Sequence, residues 1–177
     1  MVEETNLIID LDESFGKFIK EEYSKDINIY EYVEKIIKEL LKEQNINVEN
    51  VLVSIQSASK DEIKSLNNQY RNVDSVTDVL SFPIFSTEEL DEIIGEKDNL
   101  KKIKELNLGD IIICLDVVKV QALNYNTGNF RELLYMITHG MCHLLGFDHI
   151  EPEDKKVMRE KEEKVLSKLG VGKIDAK

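Results

Sequence analysis

Residues 129–149 read Asn129-Phe-Arg-Glu-Leu-Leu-Tyr-Met-Ile-Thr-His-Gly-Met-Cys-His-Leu-Leu-Gly-Phe-Asp-His149. Apolar side chains occur on almost every side of a helix built from this stretch, which is typical of a helix enclosed by other elements. Asn129 is of the type that caps helices and Glu132 stands at the capping-box position, so we expect the helix to begin there and to run to about Leu145. The sequence therefore predicts a helix at the centre of the fold.

All three histidines of the chain lie in this stretch, at positions His139, His143 and His149. Residues four apart share one face of a helix, so His139 and His143 can point at one centre. Gly146 lies three residues after His143. A helix can end at such a glycine in a left-handed turn, which glycine adopts at little cost. Such a turn would bring His149 to the same centre. Three imidazoles around one point predict an open metal site, most often zinc with a water at the fourth position.

Length and composition predict one globular domain over residues 1–177, because 42% of the residues are hydrophobic and can form a sizeable core. No apolar run approaches the roughly 20 residues of a membrane span. The acidic start of the chain also lacks the basic and then apolar pattern of a signal peptide. These features predict a cytoplasmic protein that has no membrane partner.

The net charge of −12 argues against a broad nucleic-acid-binding surface. The charge is unevenly distributed, and carboxylates are concentrated in residues 86–105. A local basic site can exist within a negative average. Composition therefore makes an RNA substrate less expected but still allows it.

The pattern of apolar residues predicts an α+β fold, in which helices surround a small sheet. Strands are predicted at residues 7–11, 51–57, 76–82 and 109–115. Helices are predicted at residues 29–44, 60–70, 116–124 and 129–145, and a last helix is opened by Pro152 and ended by Gly170. The acidic residues 86–105 show no clear element, and we expect either a short helix near residues 100–106 or a surface loop.

The order His-x-x-x-His-x-x-Gly-x-x-His is also the metal-binding skeleton of metzincin proteases. Those enzymes have a glutamate directly after the first histidine, and it acts as the general base. Gly140 stands at that position here, so a protease or amidase is disfavoured. Phosphodiester cleavage does not require a glutamate base at this position. Zinc lowers the pKa of bound water to about 7, and RNA carries its own 2′-hydroxyl as a nucleophile.

Other polar residues near the histidines have two interpretations each. Neither cysteine is expected to form a disulfide, and Cys142 points about 100° away from His143 on a helix, so we interpret it as a small core residue. Asp148 could orient a histidine from behind the metal or cap the turn, and the second role is preferred. Asp78 and Asp110 lie at predicted strand ends, where each could reach a cleft or cap a loop.

Arginine is scarce in this chain and occurs only at Arg71, Arg131 and Arg159. A metal and an arginine together can stabilise the charge that develops on a phosphate during cleavage. Arg71 lies between a predicted helix and a predicted strand, and a loop residue there can reach a cleft. Its position alone favours a solvated arginine at a helix end.

Three separated segments carry a resemblance to a known family. They are His139-Gly-Met-Cys-His-Leu-Leu-Gly-Phe-Asp-His149, Leu66-Asn-Asn-Gln-Tyr-Arg71 followed by Thr77-Asp-Val-Leu-Ser-Phe-Pro83, and Leu108-Gly-Asp-Ile-Ile-Ile113. They resemble the motifs of the YbeY family of bacterial endoribonucleases and rRNA maturation factors, and they follow one another along the chain in the order that the family has. The resemblance is strongest over residues 51–169.

This resemblance implies a single-strand-specific, metal-dependent endoribonuclease that acts in 3′-end maturation of 16S rRNA and in ribosome quality control. Its expected partners are single-stranded RNA and the small ribosomal subunit or its assembly proteins. The resemblance further implies one zinc ion per chain, held by His139, His143 and His149. It assigns Arg71 to phosphate binding and transition-state charge. The implied fold is a small mixed β-sheet with the histidine helix at its centre.

Besides the disfavoured protease or amidase, two questions stay open at the level of sequence: another function, and the identity of the metal. The first is a non-catalytic ribosome-assembly factor that is stabilised by zinc. Three protein ligands argue against it, because purely structural zinc sites usually have four. The second concerns the metal, since three imidazoles suit nickel as well as zinc.

Overall fold

A computed structural model describes residues 5–23, 27–95, 103–149 and 151–172, and its framework is a four-stranded sheet. The strands are β1 (Asn6–Leu11), β2 (Asn50–Ser57), β3 (Val79–Pro83) and β4 (Glu105–Ile113). Their order in the sheet is β1-β2-β4-β3. β1, β2 and β4 are parallel, whereas β3 pairs antiparallel with β4 at the edge. The predicted fold class, α+β with a small mixed sheet, is confirmed.

Helices surround this sheet. They are α1 (Ser14–Lys20), α2 (Ile29–Glu43), α3 (Lys60–Arg71), α4 (Thr87–Gly95), α5 (Leu115–Tyr125), α6 (Asn129–Leu144) and α7 (Pro152–Lys168). Five of them were predicted, among them α7 with Pro152 in its first turn and Gly170 just beyond its end. In the described part of the chain, none of the helices combines the length and the apolar content needed to cross a membrane.

Helix α6 lies at the centre of the fold, as predicted. It packs against strands β3 and β4 and against helices α1, α2, α5 and α7. Its buried apolar residues cover most of its circumference, and they are Phe130, Leu133, Leu134, Met136, Ile137, Met141, Cys142 and Leu144. Burial on this scale fixes the helix axis, so the side chains it carries are held on a rigid support.

The N-terminus of α6 differs from the prediction. The N-cap is Gly128, which has a φ of 83° and makes no side-chain cap, and Asn129 is already helical. The capping acceptor is the carboxylate of Glu22, which accepts hydrogen bonds from the N–H groups of Asn129 (2.6 Å) and Phe130 (3.3 Å). Glu132 accepts from the Thr127 hydroxyl at 2.8 Å. The assignment of Asn129 as N-cap is wrong because a carboxylate distant in sequence satisfies the first N–H groups.

Other differences concern the strand ends and the acidic segment. Strand β3 begins three residues later than predicted and includes Pro83, which the edge of a sheet tolerates. Residues 86–105 contain helix α4, and β4 begins at Glu105. The helix considered for residues 100–106 is therefore wrong at residues 105 and 106, while residues 100–102 lie outside the described residues.

Candidate metal centre

Two of the three imidazoles project from one face of α6. His139 and His143 are one turn apart, and their Nε2 atoms are 3.2 Å from each other. At zinc–nitrogen distances of about 2.0–2.1 Å, a tetrahedral ion holds its ligand atoms about 3.3 Å apart. This pair therefore has the spacing that a single metal ion requires.

The turn after α6 brings the third histidine to the same place. Gly146 has a φ of 84°, and its N–H donates to the carbonyl of His143 while the N–H of Phe147 donates to the carbonyl of Cys142. This is the Schellman arrangement, which reverses the chain at a helix end. The ring of His149 then lies 5.5 Å from that of His139 between centroids, and one ligand nitrogen from each histidine lies within 4.8 Å of the others.

Helix α4 supports this turn from outside. A Cβ atom at position 146 would lie 3.3 Å from Cγ2 of Thr87, and the Thr87 hydroxyl donates to the carbonyl of Gly146 at 3.4 Å. Position 146 therefore requires glycine for its positive φ and has little room for a larger residue. Helix α4, which lies in the acidic segment that showed no clear element in the sequence, thus contacts the turn that leads to the third histidine.

The electrostatics of the cluster suit a metal cation. Burial, together with the neighbouring His139 and His149, lowers the pKa of His143 from 6.5 to about 4. The imidazole is therefore neutral at pH 7, with a lone pair available to a metal. Metal ligation requires this neutral form, so the donor set fits a divalent transition metal.

A buried carboxylate orients the first histidine. Oε1 of Glu162 lies 2.7 Å from Nδ1 of His139, and Glu162 is only 2% exposed. A neutral His139 donates its Nδ1 proton to this carboxylate, which leaves the lone pair of Nε2 directed at the centre. Glu162 was not among the site residues predicted from the sequence. The available signal was a carboxylate within the buried stripe of α7, between Met158 and Val165.

Position 140 has no space for the glutamate that proteases place there. Gly140 is buried against β4, and a Cβ atom on it would lie 2.8 Å from Cγ2 of Ile111. A carboxylate at this position would be forced into the interface between helix and sheet. The absence of a protease-type base is therefore a consequence of how closely α6 approaches the sheet.

The cysteines have the core role predicted for Cys142. Cys114 and Cys142 are both free and fully buried. Burial raises the pKa of the Cys142 thiol, and the nearby Glu162 raises it further. A buried thiol of this kind stays protonated and is a poor metal ligand.

The three aspartates that had two interpretations occupy different environments. Asp148 accepts a hydrogen bond from the N–H of His149 at 2.7 Å, a contact that suits the turn-capping role. Asp78 accepts from the N–H of Val79 and from the side-chain amide of Gln121, and it lines a cavity beside His139. Asp110 is exposed within strand β4, where its backbone pairs with that of Phe82.

Arg71 is the last residue of α3 and is exposed. The next residue, Asn72, adopts a left-handed conformation with a φ of 56° and ends the helix. The cavity that adjoins His139 is lined by Arg131 and Arg159 but not by Arg71. The cavity thus brings His139 together with two arginines that the sequence did not single out.

Comparison with known proteins places this arrangement in one family. The family model described as endoribonuclease YbeY matches residues 18–170. A protein named endoribonuclease YbeY from Caldanaerobacter subterraneus subsp. tengcongensis is 45% identical over 139 residues, which cover 78% of this chain and 86% of that protein. One of the same name from Thermoanaerobacter sp. (strain X514) is 40% identical over 149 residues, covering 83% and 91%.

A solved structure supports the fold independently. The solution structure of a protein from Thermotoga maritima has a TM-score of 0.51 and covers 94% of this chain and 92% of that protein. Its sequence identity is 23%, so this likeness concerns the fold alone. The match of the family model and the identities of its relatives together show that the chain belongs to the endoribonuclease YbeY family.

Proposed function

We propose that this chain is a zinc-dependent endoribonuclease that cleaves single-stranded RNA, and that it acts in 3′-end maturation of 16S rRNA and in ribosome quality control. The observation that carries the proposal is the group of three histidines on the central helix of a chain from an endoribonuclease family. We place the activity in the cytoplasm, where ribosomal RNA is processed.

Zinc is the metal that the donor set favours, with one ion per chain. His139, His143 and His149 would hold it through three nitrogen atoms and leave a fourth position open, which is the pattern of catalytic zinc sites. When bound, zinc would supply Lewis acidity toward water and toward a phosphoryl oxygen. Nickel has similar preferences for imidazole and is the metal against which zinc should be compared.

The protein's own groups have separate tasks in this proposal. Glu162 holds His139 in the tautomer that directs Nε2 at the metal. Arg71 binds the phosphate and stabilises the negative charge of the transition state. Its exposed position at the end of α3 makes the guanidinium available to a substrate as long as an RNA strand.

Gly140 argues against the alternative of peptide hydrolysis, because its contact with Ile111 leaves no place for a general base at the usual position. The purely structural zinc of an assembly factor is disfavoured by the ligand set, which has three histidines within the part of the chain that the structure describes. The small ribosomal subunit or its assembly proteins remain the proposed partners. With a net charge of −12, the chain needs such a context for tight RNA binding.

Removal and replacement of the metal test this proposal. The chain would be stripped with a chelator, reloaded with zinc or nickel, and assayed on a single-stranded RNA and on the same RNA annealed to its complement. We expect activity to return with one equivalent of zinc and the duplex to resist cleavage. Cleavage by the metal-free chain, or equal cleavage of both substrates, would contradict the proposal.

A further inference from the structure

A cavity of about 660 Å³ opens directly beside the histidine cluster. It lies between helices α5, α6 and α7, and His139 forms part of its wall. Its volume is within the range of about 300–1,000 Å³ that small-molecule sites have. A ligand in this cavity would therefore lie beside His139, one of the three histidines of the candidate metal centre.

Two polar groups in the wall lack partners. Nε of Arg131 and Oε1 of Gln121 are buried, and neither has a hydrogen-bond partner within the described residues. Buried polar groups are nearly always paired, since an unpaired one costs free energy. One of these atoms is a donor and the other an acceptor, and because neither is accessible to solvent, each side chain must turn before it can bond a ligand in the cavity.

The charges of the wall argue against a phosphate in the cavity. Two arginines are accompanied by three carboxylates, which already accept hydrogen bonds from neighbouring groups. Glu163 accepts from Arg131 at 2.8 Å, and Asp78 accepts from the amide of Gln121 at 2.9 Å. With Glu132 as the third, the formal charge is +2 − 3 = −1. Such a wall suits an uncharged ligand that is rich in donors and acceptors.

Two tyrosine rings line the cavity, one exposed to solvent and one stacked on His139. Tyr125, the last residue of α5, is 67% exposed and lines the cavity. Tyr135 lies further in, and its ring stacks on that of His139 with 6.1 Å between the centroids. Exposed aromatic side chains next to a polar pocket are the usual way in which proteins bind unstacked bases of single-stranded RNA.

We propose that this cavity binds one nucleobase of the RNA substrate, turned out of the strand beside the phosphate that is cleaved at the metal centre. A nucleobase is flat and uncharged, and its edge offers donors and acceptors together. The inference rests on the proposed function, because only an RNA substrate would bring a base to this place. Bases in a duplex are stacked and paired, so this subsite also accounts for preference for single strands.

Substitution of Tyr125 tests the aromatic part of the subsite. We expect Tyr125→Ala to raise KM for a single-stranded RNA about tenfold, because a stacking surface is lost. Zinc content should not change. Leu123→Ala is the matched control, since Leu123 lies on the same helix, is 75% exposed and does not line the cavity. Equal KM values for Tyr125→Ala and Leu123→Ala would overturn the proposal.

A binding measurement separates this inference from the activity itself. The zinc-loaded chain, labelled with ¹⁵N, would be titrated with adenosine 5′-monophosphate and with ribose 5-phosphate, which lacks the base. We expect the nucleotide alone to shift the signals of the Gln121 side-chain amide and the Thr127 backbone amide. Identical shifts with both compounds would overturn the proposal. Nucleotide-specific shifts in a chain that does not cleave RNA would instead refute the proposed function and show only that the cavity binds a base.

Discussion

The histidine cluster at the C-terminal end of α6 and Arg71 at the C-terminal end of α3 differ in how closely other residues surround them. At α6, His139 contacts a buried carboxylate, and His149 follows a turn that Thr87 contacts. At α3, Arg71 is exposed and is followed by Asn72 in a left-handed conformation. Metal ligands need a fixed geometry before the ion arrives, whereas an arginine that binds an RNA phosphate can adjust to the strand. We therefore expect changes at the histidine cluster and at Arg71, which is proposed to act with it, to have different effects.

Among the variants of Arg71, Glu162 and Gly146, Arg71→Ala is expected to lower the catalytic rate most. It should leave the zinc content unchanged. Loss of a group that stabilises transition-state charge typically lowers the rate about 10²–10³-fold. We expect a decrease of this size in kcat/KM for single-stranded RNA, with zinc content and melting temperature unchanged. Lys64→Ala, on the same helix, is the control and should remain active. Undiminished cleavage by Arg71→Ala would show that the assigned role is wrong.

Glu162→Gln should affect the metal itself. The variant keeps the size of the side chain but weakens the charge-assisted hydrogen bond to Nδ1 of His139. Loss of such a partner typically lowers metal affinity about 10–100-fold, which competition with a zinc chelator would measure. Glu160→Gln is a suitable control, because Glu160 lies on the same helix with its side chain 69% exposed. If both variants bound zinc equally tightly, the orienting role of Glu162 would be refuted.

Gly146→Ala is expected to produce the smallest change, and Gly170→Ala provides a matched control. Both glycines have positive φ, so each alanine should cost roughly 1–2 kcal/mol of folding free energy in denaturant melts. A Cβ atom at position 170 meets nothing within 4 Å, whereas one at 146 meets Thr87. Only Gly146→Ala should therefore weaken zinc binding as well, by a few-fold. Equal zinc affinities would indicate that the turn does not set the position of His149.

The sequence was sufficient where structure depends on local pattern. The central helix follows from the distribution of apolar residues in 129–145, and the turn at Gly146 follows from the need for positive φ. It was insufficient where the partner is distant along the chain. Glu22, which caps α6, is 107 residues from Asn129, and Glu162 is 23 residues from His139. Neither pairing leaves a local pattern that periodicity can detect.

Short elements were missed for a related reason. Helix α1 has only seven residues, including Gly16, and its apolar positions are too few to define a helical period. Helix α1 is held by tertiary contacts, which outweigh weak local propensity. In helix α4, which lies in the acidic segment, Leu90 is the one buried residue. Helix α4, in contrast, begins with a capping box between Ser86 and Glu89, which was a local signal in the sequence.

We propose that the three histidines form a catalytic metal centre. The most direct test is metal analysis and single-stranded RNA cleavage on the same preparations of wild type and His143→Ala, with circular dichroism to compare their folds. We predict about one zinc per wild-type chain, and loss of both zinc and cleavage in a folded variant. Cleavage that is equal in the two proteins would contradict the claim, because the activity would then not depend on the histidine cluster.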